Sequence, residues 1–199
     1  MICPLARGLL LVVVCLMVDA ERYGGGRIIL SDYDPAWPTL FAQERGRVAE
    51  VLGSMVIGIE HVGSTAVPGL VAKPIIDLLI TVRSLPAIKQ DCIQALQTLG
   101  YMYLPESEAW LPDEMLFRKT AGKQWTHHLH VMEPTSPRWE EFVLIRDYLR
   151  AHRDIASAYG QLKYALALVF GEDIVGYRDA KRPFVRAVLT RARGERAST

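Results

Sequence analysis

Apolar residues recur along this chain with two different periods, and the switches between them divide it into elements. Asp34-Pro35 offers an N-cap and a first-turn proline. Leu40, Phe41, Glu44, Val48, Val51 and Leu52 then hold a helical stripe that ends at Gly53. The apolar run Val56–Val62 reads as a strand, Gly63 to Pro74 as an irregular loop, and Ile75 to Val82 as a buried strand. After Pro86 the segment AIKQDCIQALQTLGY is helical and closes at Gly100. EMLFRKT and HHLHVME follow as two strands separated by the turn signal Ala121-Gly122. The last third is helical, with amphipathic stretches at Trp139–His152, Ile155–Phe170 and Ala180–Ala192. Asp179 is expected to cap the last of these, which places Pro183 in its first turn. The pattern predicts an α/β (α+β) fold: a mixed β-sheet flanked by helices, with a helical C-terminal third.

Composition narrows the class. The 199 residues are 50% hydrophobic and 23% charged, which suits one globular domain with a sizeable core. A formal net charge of +1 supplies no global field, so any anion site must be a local cluster, and no strong nucleic-acid signal is present. Cys3, Cys15 and Cys92 lack metal-site spacing and form no disulfide framework; Cys92 reads as a buried thiol and the chain as cytoplasmic. Near the N-terminus, Arg7, the run Leu9–Val18 and Val18-Asp19-Ala20 have the three regions of a secretory signal. The run is too short to span a bilayer, and Met17 offers an alternative start just before a Gly-rich stretch. Residues 1–26 are therefore placed outside the fold, 27–193 in the domain, and 194–199 in a tail.

The chemistry centres on Ile59–Val82, IEHVGSTAVPGLVAKPIIDLLITV. Gly63 permits a tight turn with exposed N–H groups, and the Ser64 and Thr65 hydroxyls can donate to an anion, which together suit a phosphate cradle. Asp77 sits amid Ile, Leu and Val, where an unpartnered carboxylate is costly. A carboxylate facing a phosphate cradle is what a metal-assisted nucleotidyl transfer needs. Turn glycines and a capping serine are the plainer account of the same residues.

The run EHVGSTAVPGLVAKPIIDLLI closely resembles the signature of the GrpB family, of the nucleotidyltransferase-fold superfamily, whose members also occur fused to dephospho-CoA kinase. The resemblance continues through Tyr33, Trp37 and Phe41, HHLHV, IRDYLRAH, YGQLKYALA, Tyr177 and Lys181, covering Ile28 to about Ala192. It implies a nucleotidyltransferase-like sheet with Gly63-Ser64 at the superfamily's Gly-Ser turn and Asp77 at its first metal carboxylate. The departures are specific. The second carboxylate, normally two residues on, is here Leu79, and the later strand carries His128 and His130, with Glu133 past its end.

His128 and His130 fall on one face of their strand. With Asp77 they could form a two-His-one-carboxylate site for a divalent metal, Mg or Mn, or a transition metal if the histidines ligate; alternatively they serve as donors to a phosphate. Asp77 and His130 are the candidate catalytic pair. Lys73, Arg118, Arg146 and Lys163 are candidate anion contacts, although Glu60 is also expected to pair with Lys73. Tyr33, Trp37, Tyr148, Tyr159 and Tyr164 read as packing residues. Two classes of function follow. One is a transferase moving a nucleotidyl or related phosphoryl group to a small acceptor, with a small phosphate-bearing molecule as its ligand. The other is a nucleotide- or CoA-like-ligand-binding module that kept the fold without the chemistry.

Overall fold

The computed structural model describes residues 27–122 and 124–198. The N-terminal apolar segment and its alternative readings lie outside the described residues. The chain runs α1 (Trp37–Leu52), β1 (Val56–Val62), β2 (Ile76–Val82), α2 (Leu85–Thr98), β3 (Met102–Tyr103), β4 (Met115–Ala121), β5 (Gln124–Met132), α3 (Pro137–Ala151), α4 (Arg153–Phe170) and α5 (Ile174–Ala197). One five-stranded sheet, in the order β1-β2-β5-β4-β3, forms the centre. Only β2 and β5 pair in parallel; the other neighbours are antiparallel. This is the mixed α/β architecture that the hydrophobic periods predict.

The register assigns each side chain its face. Asp77 lies opposite His128, and His128 opposite Arg118; one rung on, Leu79 lies opposite His130. Residues opposite one another share a face, so Asp77, Arg118, His128 and His130 all emerge on the same side. The alternate residues Leu78, Ile80, Phe117, Leu129 and Val131 are fully buried against Val48 and Leu52 of α1 and Cys92 and Leu96 of α2. The thiol expected to be buried is therefore part of this core.

The second face is covered by the last three helices. Val62, Leu79 and Met132 pack against Trp139, Phe142 and Val143 of α3. The Trp139 Nε1–H donates to Thr81 Oγ1 at 2.8 Å. Leu79, where a second carboxylate would stand, is thus part of the apolar joint between sheet and α3. Beyond it, Val67 and Leu70 of the β1–β2 loop pack with Tyr148, Leu149, Ala156, Tyr159, Val188 and Ala192. A loop that the sequence shows only as irregular is anchored to three helices.

Two expectations are corrected. The last helix starts at Ile174, not Ala180: Asp173 Oδ1 accepts from Gly176 N at 2.8 Å, and Pro183 lies inside the helix. Buried Tyr177 before the proline and buried Val188 and Leu189 after it hold both parts to the core, so packing outweighs the helix bond that Pro183 cannot make. Glu60 pairs with Arg146, Oε2 to Nη1 at 2.6 Å, and not with Lys73. No helix among the described residues is long and apolar enough to cross a membrane.

Candidate functional site

The site begins where β1 turns into the loop. Gly63 has φ 71° and ψ −172°, a combination that side-chain-bearing residues avoid. A Cβ at this position would lie 2.0 Å from Asp77 Oδ2. Gly63 therefore does two things: it turns the chain, and it leaves room for the carboxylate on β2. The loop is then pinned from several sides. The Thr65 hydroxyl donates to the Ile75 carbonyl at 3.2 Å, which makes His61 Nε2–H the donor to Thr65 Oγ1 at 3.0 Å. His61 stacks on Phe41 with centroids 4.6 Å apart, and burial lowers its pKa to about 4, so it is a neutral structural histidine.

Arg146 and Arg150, one turn apart on α3, hold the same loop. Arg146 Nη1 donates to Glu60 Oε2 and to the His61 carbonyl at 3.1 Å, and its Nε donates to Asp147 Oδ1 at 2.7 Å. Arg150 Nε donates to the Ala66 carbonyl at 2.9 Å. The structure thus places Arg146 among carboxylates and a carbonyl, away from the cavity described next. The basic stripe on this helix is a clamp.

A cavity of about 240 Å³ opens beside the Gly-Ser turn. Ser64, Thr65, Lys73, Asp77, Arg118 and His128 line it together with Trp125, Lys163, Tyr177, Arg178 and Lys181. Five cationic side chains face one carboxylate. Lys163 Nζ donates to Ser64 Oγ at 3.0 Å and to the Val71 carbonyl. Burial, with the charge of Lys181 behind it, brings Lys163 down to about 7. Burial and the charge of Lys73 bring Lys181 down to about 8, and Lys73 is lowered by burial and by Arg118. Lys73 and Lys181 both lie against the Tyr177 ring, 5.3 and 4.2 Å from its centroid. The buried indole Nε1–H of Trp125 has no hydrogen-bond partner among the described residues. An oxyanion entering this cavity relieves the mutual repulsion of the lysines.

Asp77 closes one end. His128 Nδ1 lies 3.1 Å and His130 Nε2 3.7 Å from Asp77 Oδ1. Burial would raise the Asp77 pKa, but the hydrogen bonds and charges of the two histidines hold it well below the usual carboxylate range. His130 is itself held from behind: its Nδ1 lies 2.6 Å from Glu114 Oε1, and Arg138 Nε donates to Glu114 Oε2 at 2.9 Å. Burial alone would lower His130; the charge of Glu114 and the bonds to Asp77 and Glu114 reverse this and raise it to about 9. His128 is lowered, first by burial and then by the charges of Arg118 and His130. At neutral pH the group comprises two carboxylates, one imidazolium and one neutral imidazole.

This set also fits a cation. Asp77, His128 and His130 each offer a ligand atom within 4.8 Å of the others. Glu114 accepts from His130 Nδ1–H, which fixes the ring and leaves Nε2 toward Asp77, the usual support for a metal-ligating histidine. A proton on Nε2 and a metal ion are alternatives at one position. Glu133 plays no part in this set; its Oε1 accepts from Leu85 N at the start of α2.

Sequence reasoning missed Glu114, Arg138 and Arg178. Glu114 was not findable from the turn alone: continuing the pairing of Ala121 with Gln124 would set Leu116 opposite Leu129, and only the register shift between Lys119 and Thr120 brings Leu116 opposite His130 and Glu114 onto that face. Lys181 was noticed only as part of a family resemblance.

A mixed five-stranded sheet with a Gly-Ser turn set against one strand carboxylate defines the class of this domain. The chain belongs to the GrpB family: the model of the GrpB protein family matches residues 27–191. It is 37% identical over 188 residues to the UPF0157 protein YqkA of Bacillus subtilis, covering 94% of this chain and 52% of that protein. It thus spans about half of that relative's length. The crystal structure of the conserved protein GrpB from Enterococcus faecalis superposes with a TM-score of 0.75 and 31% identity, over 82% of this chain and 96% of that one. A dephospho-CoA kinase of Mycolicibacterium paratuberculosis is 28% identical over 181 residues, 80% of this chain and 44% of that protein.

Proposed function

We propose that the cavity binds a small phosphate-bearing ligand and that the domain transfers its nucleotidyl or a related phosphoryl group to a small acceptor. The observation that carries this reading is the enclosure of one cavity by Lys73, Arg118, Lys163, Arg178 and Lys181 with Ser64, closed at one end by Asp77. In this scheme the lysines and Arg118 neutralise phosphate oxygens, and the Ser64 hydroxyl orients one of them. Asp77, His128 and His130 would hold a divalent cation with a mixed N/O shell, which favours Mn²⁺, Fe²⁺ or Zn²⁺ over Mg²⁺. Such an ion supplies charge neutralisation and activates the attacking oxygen. Glu114 keeps the His130 ring oriented, and Arg138 keeps Glu114 in place.

A second reading is favoured by Leu79. With that position packed against α3, the standard pair of carboxylates cannot form, and a domain that binds a nucleotide- or CoA-like ligand without turnover is consistent with the same cavity. Calorimetric titration of a nucleotide panel with and without Mn²⁺, followed by a turnover assay on the same panel, tests both. Binding that is lost in Asp77→Asn and accompanied by product formation supports the transferase. Binding without product leaves the module, and no binding of any phosphate-bearing ligand overturns both.

A further inference from the structure

Arg178 lines two spaces. One is the cavity just described; the other is a larger groove of about 610 Å³, which Trp110, Arg138, Arg182 and Arg186 also line. Arg178, Arg182 and Arg186 recur every four residues on one face of α5, where like charges repel by a few tenths of a kcal/mol per pair. Asp179 offsets this in part, 3.3 Å from Arg178 and 3.2 Å from Arg182. Glu141 is the one carboxylate residue lining the groove, and it lies 3.3 Å from Arg193. An anion beside the row of arginines would meet several guanidinium groups along one helix face.

The groove is not only basic. Trp110, at the end of the short 3₁₀ turn Pro105–Ala109, is 42% exposed, and Leu111, Val185 and Leu189 add apolar surface. Arg138 is fixed at the rim by its bond to Glu114. A large exposed indole among guanidinium groups suits a ligand with a planar ring at one end and phosphates along its length: the ring stacks and the phosphates pair. An acidic peptide would meet the arginines with carboxylates, whereas a nucleotide brings the ring and the phosphates that guanidinium groups bind bidentately in one small unit. Inorganic phosphate would fill a small part of the space.

We propose that this groove is a second ligand site for a nucleotide unit, the base stacked on Trp110 and the phosphates set along Arg178, Arg182 and Arg186. The unit is either a free nucleotide or the end of a single-stranded oligonucleotide. The site stands independently of the reading given to the adjoining cavity.

The test uses the whole chain, with fluorescein-labelled ADP, a labelled single-stranded hexanucleotide, and pyrophosphate as an unlabelled competitor, read by anisotropy over a salt series. At least one labelled probe binds. Trp110→Ala weakens it about 5-fold or more, as loss of one stacked base does. Arg182→Ala/Arg186→Ala weakens it about 10-fold or more and flattens the salt dependence, as removal of phosphate contacts does. Binding by the hexanucleotide alone identifies the oligonucleotide source; equal binding by ADP identifies the free nucleotide. Arg186→Gln alone serves if the double variant melts early. Ser64→Ala, in the cavity, leaves groove binding unchanged. Loss of probe binding in Ser64→Ala while the groove variants are silent assigns the probe to the cavity and overturns the groove site. Sensitivity to the groove variants with indifference of every ligand to Ser64→Ala keeps the groove and overturns the cavity reading. Pyrophosphate, which meets the same arginines, displaces the probe; binding by neither probe, no displacement by pyrophosphate, or indifference to Trp110→Ala also overturns the proposal.

Discussion

The two faces of β2 and β5 are made by alternate residues of the same strands, yet they do opposite work. On one face Leu78, Ile80, Leu129 and Val131 are fully buried under α1 and α2. On the other, Asp77, His128 and His130 form an ionisable group that neighbours a cavity lined by five cations. A half-period of the strand separates stability from chemistry. Leu79 crosses that division: it lies on the chemical face but belongs to the apolar joint with α3.

The sharpest way to break the comparison is therefore Leu79→Asp, which writes an acid at the vacant second carboxylate position. Leu79 is fully buried beside Val62, Met132, Trp139 and Phe142, so the new charge has no solvent, and the one cation opposite it, His130, is already engaged by Asp77 and Glu114. We expect a loss of several kcal/mol in chemical unfolding, or no folded protein, and no second metal site. A folded variant with two bound Mn²⁺ ions would contradict this. Phe117→Ala on the opposite face comes next. It leaves a cavity in the α1–α2 core and should cost about 3–5 kcal/mol by urea denaturation, with ligand affinity unchanged in the fraction that remains folded.

Gly63→Ala tests the contact between turn and carboxylate. Backbone strain accounts for about 1–3 kcal/mol, and the Cβ must also displace Asp77. Ligand binding should fall with stability, and Gly63→Ala/Asp77→Ser should recover part of the stability loss, a non-additivity read from a double-mutant cycle. Purely additive losses would mean the two residues do not share that space.

The smallest effect concerns pH. The Lys163 pKa is lowered on folding, so between about 7 and the ordinary lysine value the unfolded chain binds more protons than the folded one. Its penalty is fully present below 7 and is relieved as pH rises. Wild type should gain about 1–2 kcal/mol relative to Lys163→Met between pH 7 and pH 9. Anion affinity moves the other way and falls over the same interval as Lys163 and then Lys181 lose their protons. An affinity that is flat from pH 7 to 9 would remove both lysines from the anion site.

Much of this arrangement is legible in the sequence because it follows from short-range rules. Alternation along IIDLLITV places Asp77 on the face opposite Leu78, and the i, i+2 spacing of His128 and His130 puts them together. What was not legible depends on contacts between distant elements. A helical stripe of Arg146 and Arg150 does not say whether it faces a ligand or the carbonyls of a loop; here it faces the loop. Asp179 reads as the cap of the last helix, but Asp173 fills that place, and the burial of Tyr177 between them holds the helix start at Ile174. β3, with two residues, carries too little pattern to be seen.

The sequence separations within the site also set when it can exist. The Asp77–His128 contact joins residues 51 apart, and the Lys163–Ser64 bond joins residues 99 apart. Contacts that close such long loops form late, after local helices and hairpins have paid their entropy. The β4–β5 hairpin and α2 are built from near neighbours in sequence, whereas the β2–β5 pairing and the cation-lined wall join segments far apart along the chain. During synthesis on the ribosome, an emerging chain presents the carboxylate and the Gly-Ser turn well before it presents Lys163, Arg178 or Lys181. On the reading proposed above, a nascent domain would not hold a phosphate-bearing ligand until α4 and α5 have emerged, and capture of that ligand would report that both have docked.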